Sequence, residues 1–393
     1  MKKGHKIYAI VASFFVMLIM AITESIRGIL IPTFKLDFNI TDTQIGRFLF
    51  LSTLAYIVGT YFAGKVSRVM NQKQLSIIGM IISALGFFGT SFAQTYTHLV
   101  LGYIVLTIGI GFIVLGLNTI VPAIKVVYIS VVINMLHFFY GLGATLTQRV
   151  AGYLISHGVS WRHIFLGFTV LYVLGIVVYS FVEMPKREIT SRHHEKIHEF
   201  EKPLILMFCL GLGFYITAEV QTANWLLNYL KEIYEYDANQ ASKYVASFFG
   251  MLAIGRLLGG YVLEKIGYLK GITIGLFIAL VTYSIGLMNE STLILLSLSG
   301  IFFSIVYPTA MLVIQKVFEH NAIRVVSIVS MVASLVNMMS GYFVGYLNDT
   351  IGVRLSYFSI PISLAIALLL FIAIGFELKR VEHKRTELEG AIV

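Results

Sequence analysis

The sequence has little charge and almost no thiol. Only 12% of its 393 residues are charged, against roughly 25% in ordinary soluble domains. Its one cysteine, Cys209, excludes an internal disulfide framework, and its place in an apolar run reads as packing. There is no G-x-x-x-x-G-K-[ST] phosphate loop, no run of metal ligands and no nucleophile elbow, so nothing points to an enzyme, a bound metal or a cofactor. Without a nucleotide-hydrolysing unit, any work this chain does draws on an ion gradient or on a solute's own gradient. Alternating strands of about ten residues, which a membrane barrel needs, are also missing.

Apolar sequence fills the space instead: 58% of the residues are hydrophobic, more than a water-soluble core absorbs. Runs of about 20 apolar residues recur from end to end, the length that crosses about 30 Å of hydrocarbon as helix. Helices are predicted over 7–31, 44–63, 75–92, 99–124, 131–155, 164–182, 204–227, 241–262, 271–288, 292–316, 325–347 and 357–377. The first is too long for the apolar part of a signal peptide and reads as a span. The expected fold is therefore an all-α membrane protein of twelve transmembrane helices.

The net charge of +9 is spread over loops, not gathered in a patch, which excludes nucleic acid as a partner. Twelve spans put both termini on one side. On that side lie most of the Lys and Arg residues, among them Lys2, Lys3, Lys65, Arg68, Lys73, Lys265, Lys270, Lys379 and Arg380. The opposite loops hold Lys35, Arg47, Arg162, Lys231, Lys243 and Arg354. The positive-inside rule then predicts an inner (plasma) membrane protein with both termini cytoplasmic. One connection is long, residues 183–203, and divides the chain into a bundle over 1–182, a linker, a bundle over 204–377 and a tail over 378–393. His193, His194 and His198 in the linker read as part of a solvated charged stretch, since no tight ligand spacing supports a metal.

The two bundles echo each other at a shift of about 193 residues. Gly152-Tyr153-Leu154 with Arg162 returns as Gly345-Tyr346-Leu347 with Arg354, and Gly64–Lys73 as Gly260–Lys270. Two parallel six-helix bundles are the pattern of the major facilitator fold, whose solute site lies between the halves near mid-bilayer. Gly260, Glu264, Lys265 and Gly267 resemble that superfamily's inner-loop signature G-x-x-x-[DE]-[RK]-x-G, which implies a cytoplasmic lock. The first copy departs from it, with Arg68 at the acid position and Asn71 at the second glycine. Asn134–Ala144, Ala218–Leu226, Gly255-Arg256 and Ser304–Thr309 are similar to the fucose, galactose and hexose proton symporters within the superfamily. That group's acids in helices 1 and 4 fall here at Gly28 and Val114, while Asn118 matches a family Asn and Glu219 an acid of the hexose-transporting members.

Ionisable groups inside a span cost about 2.5–3.5 kcal/mol or more, so each needs a partner or a wet cavity. Glu24 and Arg149 reach similar depth, roughly 8 Å beyond the midplane at 1.5 Å per residue. Arg149 can pair with Glu24, and Arg27, three residues along the same face, competes for it. Glu219, near the middle of helix 7, reads either as a proton carrier without a fixed cation or as an interhelical hydrogen-bonding group. Glu219 and Glu24 are the proton-coupling candidates, Glu24 with the alternatives of a structural ion pair that holds the first half together or a substrate contact. Gln221 and Asn224 offer amides to hydroxyls, and Trp225 either stacks on a sugar or anchors the outer interface. Asn118, Asn134, His137, Tyr307 and Asn337 complete the candidate solute contacts, each with the alternative role of interhelical glue. Arg256, near the inner end of helix 8, is read with Glu264 and Lys265 as part of the lock. Pro308 is expected to break helix 10.

The function expected from these residues and the resemblance is proton-coupled uptake of a hexose or similar polar solute. Its expected partners are a small-molecule substrate, protons and membrane lipid, and the protein is expected to be a monomer. An efflux antiporter for drugs or metabolites, and a lipid flippase or non-transporting sensor on the same fold, are the alternatives.

Overall fold

The computed structural model describes the chain apart from residues 1, 2, 68, 125–128, 184–196, 319, 320 and 391–393. The central part of the expected linker, with His193 and His194, lies outside the described residues. Twelve long helical segments follow one another: α1 Lys3–Phe38, α2 Asp42–Val66, α3 Gln72–Ser91, α4 Tyr96–Ala123, α5 Ile129–Ser156 and α6 Trp161–Phe181, then α7 Lys202–Tyr234, α8 Ala238–Ile266 and α9 Tyr268–Gly286. The last three are α10 Glu290–Val317, α11 Ala322–Ile351 and α12 Ser359–Gly390. Among the described residues, 11 helices are long and apolar enough to cross a membrane, and α5 is a further helix of 28 residues. Helices satisfy their own backbone groups, which lipid cannot do.

Several helix starts are set by side chains. Thr41 with Gln44, Asn71 with Gln74 and Asp237 with Gln240 form capping boxes at the beginnings of α2, α3 and α8. Each box satisfies orphan N–H groups where the chain turns back. α10 is broken into Ile294–Leu298, Gly300–Phe303 and Val306–Val317. Its second break lies at Ser304 and Ile305, where Pro308 offers no N–H to the Ser304 carbonyl.

α1 runs through Pro32 to Phe38, beyond the expected end at residue 31. The added turns are held by Phe34 and Phe38 against Trp161, at ring distances of 5.2 and 6.1 Å, so packing outweighs the one lost backbone bond. α12 likewise continues to Gly390, where a tail was expected from residue 378. Val381 in this extension is buried and Arg380 reaches back to Glu377 at 3.5 Å.

In the first half α1 packs on α5, α2 on α4, and α3 on α4 and α6; in the second, α7 packs on α11 and α12, and α9 on α10 and α12. The halves meet along α5 with α8, α2 with α11 and α1 with α7. Replacing each helix by its counterpart six places along exchanges the first two contacts. The repeated Gly-Tyr-Leu motif marks that symmetry. A Cβ on Gly152 of α5 would stand 2.2 Å from Ser242 Oγ of α8, and one on Gly345 of α11 would stand 2.3 Å from the Asp42 carbonyl of α2. The same residue type at the same place in each half lets two backbones approach closely, the usual basis of helix association in lipid.

We call the end of the bundle that carries residues 3 and 390 the termini face, and the opposite end the far face. His5 of α1 reaches Glu183 just after α6, and Lys384 of α12 lies over the Phe200 ring just before α7.

Candidate functional site

A cavity of about 130 Å³ lies between the halves, lined by Glu24, Arg27, Thr53, Tyr56, Gln221 and Asn337, with Asn224 and Ser334. These residues come from α1 and α2 of one half and α7 and α11 of the other. Within it, Arg27 Nη2 stands 3.4 Å from Glu24 Oε1, and Arg27 Nε donates to the Glu24 carbonyl at 3.2 Å. Tyr140 of α5 donates to Glu24 Oε2 at 3.1 Å. Of the two cations considered for Glu24, Arg27 is therefore its partner. Arg149 turns instead to α8, donating to Asn239 Oδ1 at 2.7 Å and to Ser242 Oγ at 3.3 Å. The short helical spacing of three gives Arg27 the advantage over a contact between two helices.

A second acid–base pair lies in the other half. Arg256 Nη2 of α8 is 3.6 Å from Glu219 Oε1 of α7, and the Tyr215 hydroxyl contacts the Glu219 carboxyl one turn earlier on the same helix. The same hydroxyl donates to the Phe303 carbonyl of α10 at 2.7 Å. This corrects two expectations. Glu219 does have a cation beside it, and Arg256 belongs to that pair, not to a lock at the end of α8. The long guanidinium stem reaches across from α8 to the middle of α7, and the opposite charge compensates the cost of burial. Side-chain exposures of 17% for Arg256 and 19% for Glu219 leave both partly accessible. Neither residue lines the 130 Å³ cavity; Tyr140, bonded to Glu24 of the cavity wall, lies within electrostatic reach of Glu219.

Gln221 and Asn224 line the cavity as expected, and Gln221 Nε2 donates to Asn337 Oδ1 at 3.1 Å. Trp225 does not line it and is no interface anchor: it is 1% exposed, within the packed core. Trp225 lies one turn beyond Gln221 toward the far face, where the indole is buried outside the cavity. Tyr307 and His137 sit within electrostatic reach of Arg256, and Tyr307 also of Glu219. Asn118 and His137 are exposed on α4 and α5, and of Asn134 only the helical backbone is described. Glu264 and Lys265 are exposed near the end of α8, with Lys265 Nζ 4.2 Å from the Tyr261 ring centroid.

The far face holds a polar clamp that the sequence did not disclose. Lys35 Nζ at the end of α1 lies 2.6 Å from Asp42 of α2 and 2.6 Å from Glu232 of α7. Asp349 of α11 accepts the backbone N–H groups of Asp42 at 3.1 Å and Thr43 at 2.7 Å, placing an anion at the N-terminus of α2. The Lys35–Glu232 pair and the Asp349 contacts join the two halves, as do those of Arg149. Lys35 and its partner Glu232 are 197 residues apart, too far for any local pattern to pair them. The only signal was a set of charges at predicted span ends. On the termini side of the cavity, by contrast, Asn118, His137, Pro308 and Gln315 are exposed.

The sequence profile described as the Major Facilitator Superfamily matches residues 13–237 and 204–392. The chain belongs to that superfamily. As a superfamily member it is a transporter and not an enzyme. It is 22% identical over 360 residues to a protein named glucose/galactose transporter from Brucella abortus, covering 84% of this chain and 85% of that one. Among solved structures it is similar to a bacterial homologue of the lysosomal transporter Spinster in an inward-facing, unoccupied conformation. That likeness has a TM-score of 0.77 and 16% identity, and it covers 97% of this chain and 99% of that one. It is also similar to the fucose:proton symporter of E. coli, with a TM-score of 0.65 and 18% identity, covering 93% of this chain and 98% of that one.

Proposed function

We propose that this chain is a proton-coupled importer of a hexose or closely similar polyol, working by alternating access in a plasma membrane with both termini cytoplasmic. The observation that carries the coupling is the Glu219–Arg256 pair, an acid and a base 3.6 Å apart on α7 and α8, each less than a fifth exposed. The Tyr215 hydroxyl bonds to the same carboxyl and to the Phe303 carbonyl of α10. Because the two charges sit on different helices, a shift of α8 against α7 can part them and free the carboxyl to take up a proton, and their return to contact favours the ionised pair.

The lining of the cavity supports a polar solute over lipid: Glu24, Arg27, Thr53, Gln221, Asn224, Ser334 and Asn337 all face it. The amides of Gln221, Asn224 and Asn337 supply donors and acceptors suited to hydroxyls. Glu24 and Arg27 neutralise each other, so a neutral solute fits better than an ion. The relative named glucose/galactose transporter points the same way. Lys35, Asp42, Glu232 and Asp349 then serve as the far-side gate, and Glu264 and Lys265 as the cytoplasmic lock that closes in the other state.

The test is uptake into proteoliposomes of the purified protein, with glucose, galactose and fucose as probes and a pH gradient imposed. We expect accumulation of at least one sugar above equilibrium, collapsed by a protonophore. Accumulation that survives the protonophore would remove proton coupling, and absence of any sugar uptake would remove the solute class.

A further inference from the structure

One face of α7 carries polar atoms left without partners. Gln221 Oε1, Trp225 Nε1 and both amide atoms of Asn228 are buried with no hydrogen bond, and each of the three residues is 1% exposed. Spacings of four and three residues place them in one row along the helix. A buried group without a partner costs about 1–3 kcal/mol, and a row of such groups calls for an explanation beyond packing.

The position of the row supplies one. Gln221 lines the central cavity, and Asn228 lies about two turns further toward the far face. On either side of Asn228, α7 touches α1 of the opposite half. A Cβ on Gly28 would stand 2.2 Å from the Ala223 carbonyl, and Lys35 meets Glu232 at 2.6 Å. The buried, unpaired amide of Asn228 thus lies at a height between two contacts of the α1–α7 seam that shuts the cavity off from the far face. If the halves part there, as the proposed alternating access requires, the row becomes the wall of the opening.

We infer that Gln221, Trp225 and Asn228 form a vestibule subsite, exposed when α1 and α7 separate, where a neutral polyhydroxylated solute docks before it reaches the cavity. An amide offers two donors and an acceptor, and an indole one donor. None carries charge, so the row suits adjacent hydroxyls and gives an ion no counter-charge. The inference rests on the transporter reading, and its test separates the two.

The probe is Asn228→Cys in a Cys209→Ser background, full length and reconstituted, with a membrane-impermeant maleimide applied at the far face. We expect slow modification that becomes roughly tenfold faster when Lys35→Met is added, because a weakened clamp shifts the population toward the open seam. Glucose or galactose, whichever is carried, should slow it again. Modification that stays equally slow with Lys35→Met, or that no carried sugar slows, overturns the subsite. A second variant, Asn228→Ser, should raise KM for uptake from the far face about three- to tenfold, the value of one lost hydrogen bond, while KM for exit at the termini face is unchanged. An equal rise in both directions, or none, also overturns it. Failure of the transporter reading shows separately, as absent sugar uptake by the unsubstituted protein, and faster modification with Lys35→Met remains the deciding arm in that event.

Discussion

Glu219 and Arg256 stand 3.6 Å apart on neighbouring helices of one half, with the Tyr215 hydroxyl against the same carboxyl. Glu24 and Arg27, at 3.4 Å, have the Tyr140 hydroxyl in the same role in the other half. Each half thus presents an acid, a base and a phenol toward the middle of the bundle. The two sets differ in one respect that matters for mechanism. Arg27 comes from the same helix as Glu24, so that pair persists when helices shift, whereas Arg256 comes from α8 and can move relative to Glu219 on α7.

Glu219→Gln tests whether that movable pair carries the proton. A glutamine keeps the shape and can still donate to Tyr215, which mimics the loaded state, but it cannot release a proton. Accumulation driven by a pH gradient should be abolished, while counterflow exchange of sugar across proteoliposomes continues. Accumulation at the unsubstituted rate would remove Glu219 from the coupling.

Arg256→Met addresses the same pair from its basic side. Leaving a carboxylate without its cation should lower the stability of the purified protein by of order 1–3 kcal/mol, between the values for exposed and fully buried pairs. Adding Glu219→Gln should recover most of that loss, because the stranded charge is gone. A thermal-unfolding double-mutant cycle measures the coupling. Additive losses would mean that the two side chains do not interact.

The twelve spans were legible because lipid demands long apolar helices and little else produces them. The internal repeat was legible too: Gly152 and Gly345 are small for the same reason, close backbone contact with the opposite half. Gln221 and Asn224 stood out as amides inside an apolar span, and both line the cavity. What the sequence concealed were contacts between helices distant in the chain. Glu24 had two cations at similar depth, and only the packed structure shows Arg149 turned toward Asn239. Trp225 lay near the end of a predicted span that in fact continues to Tyr234, so it looked like an interface residue when it is core. The far-face clamp joins Asp349 to residues 306 and 307 positions away, a distance over which charge patterns carry no pairing information.

Asp349→Ala should loosen that clamp at a defined place. The Asp42 and Thr43 amides lose their acceptor, and α2 loses an anion at its N-terminus, together about 0.5–2 kcal/mol. Hydrogen exchange at those amides should quicken several-fold, and exchange in α11 near residue 345 should rise with it as the halves part more often. If the two amides exchange as slowly as before, the carboxylate does not hold them in the membrane-embedded protein.

Gly345→Val should have the opposite character, preventing closure instead of weakening it. A Cβ there would stand 2.3 Å from the Asp42 carbonyl and 2.9 Å from Gly46 Cα, contacts with backbone that no rotamer change relieves. The variant can avoid the clash by keeping α2 and α11 apart at the far face, since the proposed alternating access has that contact released when the far face opens. Overpacking of about 1–3 kcal/mol should then cut sugar turnover of order tenfold or more while sugar still protects the protein against thermal unfolding. Gly167→Val is the control, since a Cβ at Gly167 meets nothing within 4 Å, and its turnover should match the unsubstituted protein. Undiminished turnover in Gly345→Val would show that the far face need not close for transport, and alternating access through the α2–α11 seam would have to be abandoned.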